Sequence, residues 1–342
     1  MEQAAIWSYR LILGREPETP EVVREQAARF ESFRDMRLSF LRSREFGAWT
    51  AAEMARPPGA EVLIHFPAYT GQSEPGFWRD FLGVRTRCAY LGDNYAVLSG
   101  TVEGTPGTEK HPLHDPAEWI GTLRSVMEAA STGRFVAVEL GAGWAPGLVG
   151  AATAAKTRGI NTIKLAGLEG SAHHFAFMHQ HFRDNFLDPA QHLLLHAVAG
   201  STDGTARFPI LANPRTEWAA EADFQTTNKS APAASFEEVP SISIKTLLKQ
   251  LPPVDLIHCD IQGAEYEVMQ AAAPTLQSRV RRVVIGTHSR QIEAGLLALF
   301  GTLGWTLEAE CACCIEQPAP QGLPALSKDG YQVWSNPLYS PV

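Results

Sequence analysis

Along the second half of the chain, the spacing of apolar and polar residues alternates between the pattern of a strand and the pattern of a helix. Residues 135–140 form a continuous apolar run that ends in a glycine-rich turn, which is typical of a strand buried on both faces of a parallel sheet. Further strands are expected at 162–169, 192–199, 255–260, 282–287, 306–313 and 331–334, and helices at 147–158, 172–185, 264–273 and 292–303. This alternation predicts an α/β fold with a doubly wound, Rossmann-like sheet, which binds ligands beyond the carboxyl ends of its strands.

The beginning of the chain predicts a separate small lobe. Helical spacing of apolar residues indicates three short helices, and adjacent prolines and a glycine near 55–59 mark a boundary, since they neither continue a helix nor enter a ladder. We therefore expect a helical lobe at 1–56, a connecting segment on the substrate side at 57–133, and a ligand-binding domain at 134–342. A polar stretch at about 209–240 is too long for an ordinary connection, and its Trp218 and Phe224 favour a lid over a disordered excursion.

Composition narrows the class of protein. The net charge of −8, with 45% hydrophobic and 19% charged residues, argues against disorder and against a surface that coats nucleic acid. Five cysteines are an odd, sparse set that fits a reducing compartment better than a disulfide framework. No uncharged run reaches the roughly 20 residues needed to span a bilayer. We expect a cytoplasmic protein without a membrane span.

The first candidate for chemistry is the turn after the strand at 135–140. Its spacing is G-x-G-x-x-x-G, one residue longer than the dinucleotide fingerprint, and Glu139 precedes Gly141 by two positions. Glycines let the backbone approach a ligand, and the next helix begins with unpaired N–H groups. An acid at this place disfavours a pyrophosphate and suits a ligand with an ammonium or sulfonium group.

Other candidates lie at the ends of later strands. Glu169 is placed to accept hydrogen bonds from the two ribose hydroxyls of an adenosine ligand, although a solvated strand-end glutamate is the alternative. Asp260 ends a central strand, where an unpaired buried carboxylate is costly, and His258 points to the same face. Glu265 opens the next helix, where the helix dipole alone explains an acid. His288 is the leading candidate for a general base; alternatively, it caps a helix or packs at the sheet edge.

These motifs together resemble one enzyme family. VELGAGWAPG, Glu169, DLIHCDIQGAEYEVM and GTHS are similar to FkbM-type methyltransferases, a branch of the class I methyltransferases that use S-adenosylmethionine (SAM), over about 135–335. The resemblance implies that Glu139 sets the charge for the SAM ammonium and that Asp260 lies near the reacting centre. Many members carry lysine where this chain has His258. The other residues that it places around SAM are Gly141, Ala142 and Gly143 at the methionine part, Glu169 and Gly170 at the ribose, and Ala197 and Val198 at the adenine.

The sequence therefore predicts a SAM-dependent O-methyltransferase, with His288 and Asp260 as its catalytic residues. A saccharide or glycoconjugate acceptor is expected because the N-terminal run also resembles DUF4214, a segment often attached to enzymes of surface-polysaccharide assembly. That lobe is also a candidate contact in a homo-oligomer. An NAD-linked oxidoreductase and a non-catalytic interaction module are the alternatives. No metal site is expected, and a divalent ion held by Asp260, Glu265 and His288 is a less favoured variant because the spacing of these residues is not diagnostic.

Overall fold

The chain forms two compact units in the computed structural model, Met1–Pro57 and Pro58–Val342. The residues that it describes are 1–13, 15–46, 59–104, 116–224, 235–316 and 325–339. The first unit contains three helices: α1 (Glu2–Ile12), α2 (Pro20–Arg29) and α3 (Phe33–Leu41). The side chains of Thr19 and Ser32 cap α2 and α3, since each accepts a hydrogen bond from a backbone N–H of the first turn. Tyr9 packs edge-on against Phe40 in the core of this unit.

The second unit begins with a turn of 3-10 helix, Ala60–His65, and then alternates strands with helices. Its helices are α4 (Pro116–Ala129), α5 (Pro146–Thr157), α6 (Ala172–Asp184), α7 (Ile244–Leu248), α8 (Glu265–Arg279) and α9 (Arg290–Thr302). Its strands are β1 (Phe77–Arg79), β2 (Arg85–Arg87), β3 (Arg134–Leu140), β4 (Thr162–Glu169), β5 (Leu193–His196), β6 (Val198–Gly200), β7 (Gly204–Pro209), β8 (Phe236–Ser243), β9 (Val254–Cys259), β10 (Val280–Thr287), β11 (Thr306–Cys311), β12 (Cys314–Glu316), β13 (Ala325–Lys328) and β14 (Gly330–Ser335).

Seven strands form the main sheet, in the order β11-β14-β10-β9-β3-β4-β5. Only β14 runs antiparallel to its neighbours. The chain winds outward from β3 through β4 to β5, and then returns to β9 on the other side of β3. This reversal opens a crevice at the carboxyl ends of β3 and β9, where a doubly wound sheet binds its ligands. The predicted fold class is confirmed.

Helices cover both faces of the main sheet. Alternate residues of β3 enter opposite cores: Phe135 and Ala137 pack on the side of α4, α5 and α6, whereas Val136, Val138 and Leu140 pack on the side of α7, α8 and α9. This explains the continuous apolar run in the sequence. Among the described residues, no helix has the length and apolarity needed to cross a bilayer. All five cysteines are free thiols.

The predicted strand at 192–199 is two strands in the structure. β5 belongs to the main sheet, whereas β6 pairs with β8 in a separate sheet of order β6-β8-β7. The sequence analysis did not predict β7 and β8, and the end of the expected lid is therefore strand rather than loop. β8 could not be predicted because it contains Pro240, and a proline argues against a central strand. Part of the expected lid, 225–234, lies outside the described residues.

Gly141 brings the ends of β3 and β9 together. Its φ of +73° lies in the left-handed region, and a Cβ at this position would overlap the carbonyl oxygen of Asp260. The backbone N–H of Asp260 in turn donates to the carbonyl of Leu140 at 2.9 Å. The first glycine of the motif is therefore required by contact with the neighbouring strand end, independently of any ligand.

We expect Gly141→Ala to destabilise the protein by about 3 kcal/mol more than Gly133→Ala. Both glycines have positive φ, +73° and +67°, so alanine costs a similar backbone strain of about 1–2 kcal/mol at each. Only at position 141 does the added methyl group meet backbone, since nothing lies within 4 Å at position 133. Chemical denaturation of the two variants measures the difference, and equal losses would contradict this account.

Candidate active site

A cleft of about 1090 Å³ lies at the carboxyl ends of the central strands. All ten residues that the sequence analysis proposed line it: Glu139, Gly141, Ala142, Gly143, Glu169, Gly170, Ala197, Val198, Asp260 and His288. Pockets for single small ligands occupy about 300–1,000 Å³, so this cleft has room for a cofactor and part of an acceptor. The sequence analysis did not single out several further lining residues, which lie outside the motifs: Leu91, Tyr95, Phe208, Ser327, Lys328 and Asp329.

Glu139 is buried beneath the glycine turn and holds the start of α5. Its Oε1 accepts a hydrogen bond from the backbone N–H of Gly147 at 3.1 Å, and its Oε2 accepts one from Leu148 at 3.0 Å. A carboxylate at a helix N-terminus is stabilised by these donors and by the helix dipole. The residue that lies closest to the expected ammonium is thus fixed by the backbone of the helix.

His258 faces Glu139 from the neighbouring strand. Its Nδ1 lies 3.4 Å from Oε1 of Glu139. Burial alone would lower the pKa of His258. The nearby carboxylates of Glu139, Glu118 and Asp260 together outweigh burial and raise the pKa to about 9. The imidazole is therefore cationic at neutral pH.

Glu169 connects the glycine turn to the end of β4. Its Oε2 accepts a hydrogen bond from the N–H of Gly143, and its Oε1 accepts one from Ser171, both at 2.7 Å. Burial raises the pKa of Glu169, and the nearby charge of Glu139 adds to this effect. The hydrogen bonds lower the pKa but are outweighed, and the result is a pKa of about 7. The carboxyl group thus lines the cleft at the end of β4.

Apolar residues line the cleft beyond Glu169. Val198 belongs to a cluster with Phe208 of β7 and Phe224. The N–H of Ala197 donates to the carbonyl of Glu169 at 3.0 Å, which fixes the start of this wall beside the carboxyl group. A flat heterocycle fits such an apolar surface better than a charged group does.

Residues 210–224 of the expected lid turn back over the glycine turn. The ring of Trp218 stacks on His174 with centroids 4.0 Å apart, and meets Trp144 edge-on at 4.5 Å. The segment is held by Nε2 of His174, 2.7 Å from the carbonyl of Pro214, and by Arg215, whose Nε donates to the carbonyl of Leu91. Trp218 therefore packs on protein rings beside the cleft.

A cluster of Asp260, Glu265 and His288 lies on the opposite side of the cleft. Nδ1 of His288 is 2.9 Å from Oε1 of Glu265, and Nε2 is 3.2 Å from Oδ1 of Asp260. Burial would lower the pKa of His288, but Asp260 and Glu265 outweigh it and raise the pKa to about 10. The imidazole accepts a hydroxyl proton only after it loses its own. It does not cap α9, because the side chain of Ser289 does so.

Comparisons with known proteins show the family of this chain. The family model described as the methyltransferase FkbM domain matches residues 169–302. A putative methyltransferase of Jannaschia sp. (strain CCS1) is 32% identical over 279 residues, which are 80% of this chain and 98% of the relative. The chain is a SAM-dependent methyltransferase. It belongs to the FkbM methyltransferase family, which sets aside the NAD-linked oxidoreductase.

Solved structures that resemble this chain include two methyltransferases of low sequence identity. Precorrin-6y C5,15-methyltransferase from Geobacter metallireducens GS-15 is 11% identical with a TM-score of 0.37, covering 67% of this chain and 91% of its own. Ribosomal protein L11 methylase from Lactobacillus delbrueckii subsp. bulgaricus is 11% identical with a TM-score of 0.32, covering 67% and 90%.

We expect Glu169→Gln to reduce both SAM affinity and its dependence on pH. If Glu169 binds the ribose as the resemblance implies, its ionised form accepts from both hydroxyls, whereas protonation below about pH 7 removes part of this capacity, so affinity falls as pH falls. The variant should bind SAM about tenfold more weakly than wild type at pH 8 and nearly equally at pH 6, which calorimetry measures. Because the variant serves as the reference at each pH, other titrating groups cancel. A ratio that does not change with pH would refute the ribose assignment.

We expect His258→Lys to be tolerated better than His258→Gln. Lysine can keep the ion pair with Glu139, whereas glutamine leaves a buried carboxylate without its cation, a loss of about 3 kcal/mol. Denaturation midpoints and SAM affinity of the two variants check this. If lysine destabilises the protein as much as glutamine does, the charge at this position is not what matters.

Proposed function

We propose that this methyltransferase transfers the methyl group of SAM to a hydroxyl of a saccharide or glycoconjugate. The observation that carries the proposal is the position of Asp260 and His288. They end β9 and β10 and line the same cleft as the glycine turn and Glu169. Groups that handle protons therefore lie beside the expected methyl donor rather than in a separate pocket.

The cofactor fits one side of this cleft. Glu139 and the glycine turn would lie at the methionine part, Glu169 at the ribose, and Ala197 and Val198 at the adenine. The buried carboxyl of Glu169 and the apolar wall beyond it match a ribose joined to a flat heterocycle. Bound SAM supplies a methyl group on a positively charged sulfur, a good electrophile.

The acceptor would enter on the side of Asp260. Methyl transfer to a hydroxyl is an in-line displacement in which the attacking oxygen loses its proton, so alignment and proton removal limit the rate. The side chain of Asp260 is 44% exposed and faces the cleft, whereas that of His288 is only 8% exposed. We propose that these two groups promote loss of the hydroxyl proton, with Asp260 in direct contact with the acceptor.

The lining of the acceptor side supports a polyhydroxylated molecule. Ser327, Lys328 and Asp329 contribute polar side chains there, and Gln262 is held against Asp260 by a hydrogen bond of 2.8 Å. A surface that offers both hydrogen-bond donors and hydrogen-bond acceptors suits the hydroxyl groups of a sugar. The resemblance of the N-terminal run to DUF4214 also supports an acceptor from surface-polysaccharide assembly.

The location and assembly of the protein are also proposals. Five free thiols support a reducing compartment such as the cytoplasm. Three large apolar side chains of the first unit, Trp7, Leu11 and Phe33, are 48%, 75% and 64% exposed, which supports this lobe as a contact between copies of the chain. We also propose that the chain divides into a lobe at 1–56, a connecting segment at 57–133 and a SAM-binding domain at 134–342.

We expect incubation with isotopically labelled SAM and a panel of mono- and oligosaccharides to yield a product about 14 Da heavier, the mass of an added CH₂. Asp260→Asn and His288→Gln should each lower kcat at least about 100-fold and leave SAM affinity within about threefold. His173→Gln, an exposed histidine on α6, is the control with unchanged turnover. Transfer to nitrogen acceptors only, or full turnover in both variants, would contradict the proposal.

A further inference from the structure

We propose that the chain binds one divalent transition-metal ion between Asp260 and His288. A second part, that this ion holds the acceptor hydroxyl, rests on the proposed function. The sequence did not favour a metal, because these residues are 28 positions apart and come together only through the pairing of β9 with β10. Asp260, Glu265 and His288 present ligand atoms within 4.8 Å of one another.

Glu265 fixes the orientation of the His288 ring. Its carboxylate is fully buried and accepts hydrogen bonds from the backbone N–H groups of Ile261 and Gly263 at 3.0–3.2 Å. The same Oε1 lies 2.9 Å from Nδ1 of His288. Histidines that bind metals almost always donate their other ring N–H to such a carboxylate. We therefore assign Glu265 as a positioning residue and Nε2 of His288 as the ligand atom.

Nε2 of His288 lies close to two carboxylates. The side chain is 8% exposed, and Nε2 makes no hydrogen bond within the described part of the chain. Oδ1 of Asp260 lies 3.2 Å from it, and Oδ1 of Asp329 lies 4.0 Å from it. Ligands held about 2.1 Å from one ion lie about 3.0 Å apart in adjacent positions and about 4.2 Å apart in opposite ones. The distance between Nε2 and Asp260 fits two adjacent ligands of one ion.

The local charge also calls for a cation. Three carboxylates, those of Asp260, Glu265 and Asp329, lie within 4.0 Å of the single imidazole of His288. One proton on the ring leaves this group with excess negative charge, whereas a divalent ion offsets it. A mixed set of one nitrogen and carboxylate oxygens suits Mn²⁺, Fe²⁺ or Zn²⁺ better than Mg²⁺ or Ca²⁺, which prefer oxygen alone.

The position of this ion is compatible with methyl transfer. Asp260 is exposed to the cleft, so coordination positions remain open for an acceptor hydroxyl. A bound ion lowers the pKa of that hydroxyl. The O–H bond then breaks and its proton goes to water; the oxygen forms a bond to the methyl carbon as the S–CH₃ bond breaks, and that electron pair stays on sulfur. The products are a methyl ether, S-adenosylhomocysteine and one proton.

The test is a titration of the metal-free full-length protein with Mn²⁺, followed by electron paramagnetic resonance, in the absence of any acceptor. We expect one bound ion per chain. Asp260→Asn and His288→Gln should each weaken binding at least tenfold, and Glu265→Gln should weaken it less. Glu267→Gln is the matched control, since this exposed carboxylate lines the same cleft outside the cluster, and it should leave binding unchanged. Failure of wild type to bind stoichiometrically, or equal binding in the Asp260 and His288 variants, would overturn the proposal.

The same protein separates this inference from the proposed function. Stoichiometric Mn²⁺ binding that both variants lose supports the metal site even if no saccharide in the panel gains a methyl group, and then only the acceptor class fails. Conversely, the protein could bind no Mn²⁺ and still methylate a saccharide at full rate in the presence of a metal chelator. That result would overturn the metal site and leave the proposed function standing.

Discussion

The site depends on the close approach of two strand ends at the centre of the sheet. β3 and β9 are neighbours, and the chain leaves them in different directions because the winding reverses between them. Gly141 touches the backbone of Asp260, so the glycine turn, which we propose faces the cofactor, and Asp260, which we propose faces the acceptor, are fixed relative to each other by main-chain contact. A methyl group has to pass between two molecules over a short distance, and this contact holds the two proposed binding surfaces together without a flexible side chain.

Buried carboxylates fix the loops that this contact brings together. Glu139 binds the first amides of α5, Glu169 binds the amides of Gly143 and Ser171, and Glu265 binds those of the turn before α8. Each carboxylate is stabilised by backbone N–H groups at the ends of neighbouring elements. The acids that suggest ligand chemistry in the sequence are therefore also what hold the cleft in shape. This arrangement preorganises the site before any ligand binds.

The main sheet was predictable because its signals are local. The apolar run of β3, the glycine turn and the acids at strand ends each follow from a few adjacent residues, and the order of strand and helix units gives the winding. β8 was not predictable, since Pro240 argues against a central strand and its partners β6 and β7 are distant in sequence. The proximity of Asp329 to His288 could not be predicted either, because it depends on the antiparallel pairing of β14 with β10.

Two histidines illustrate why the chemistry of a strand end is decided by its neighbours. His258 and His288 lie on adjacent strands, and each has its pKa raised by carboxylates despite burial that lowers it. Their surroundings nevertheless differ. His258 faces Glu139, whose carboxylate is already held by two amides of α5, so its charge offsets one that the fold has fixed beneath the cofactor turn. His288 instead lies among three carboxylates: Glu265 is tied to backbone amides, and Asp260 is exposed to the cleft. The carboxylate closest to His258 is held by the backbone of the fold, whereas Asp260 beside His288 directs negative charge toward whatever enters the cleft. This difference separates a structural ion pair from a group suited to act on an acceptor.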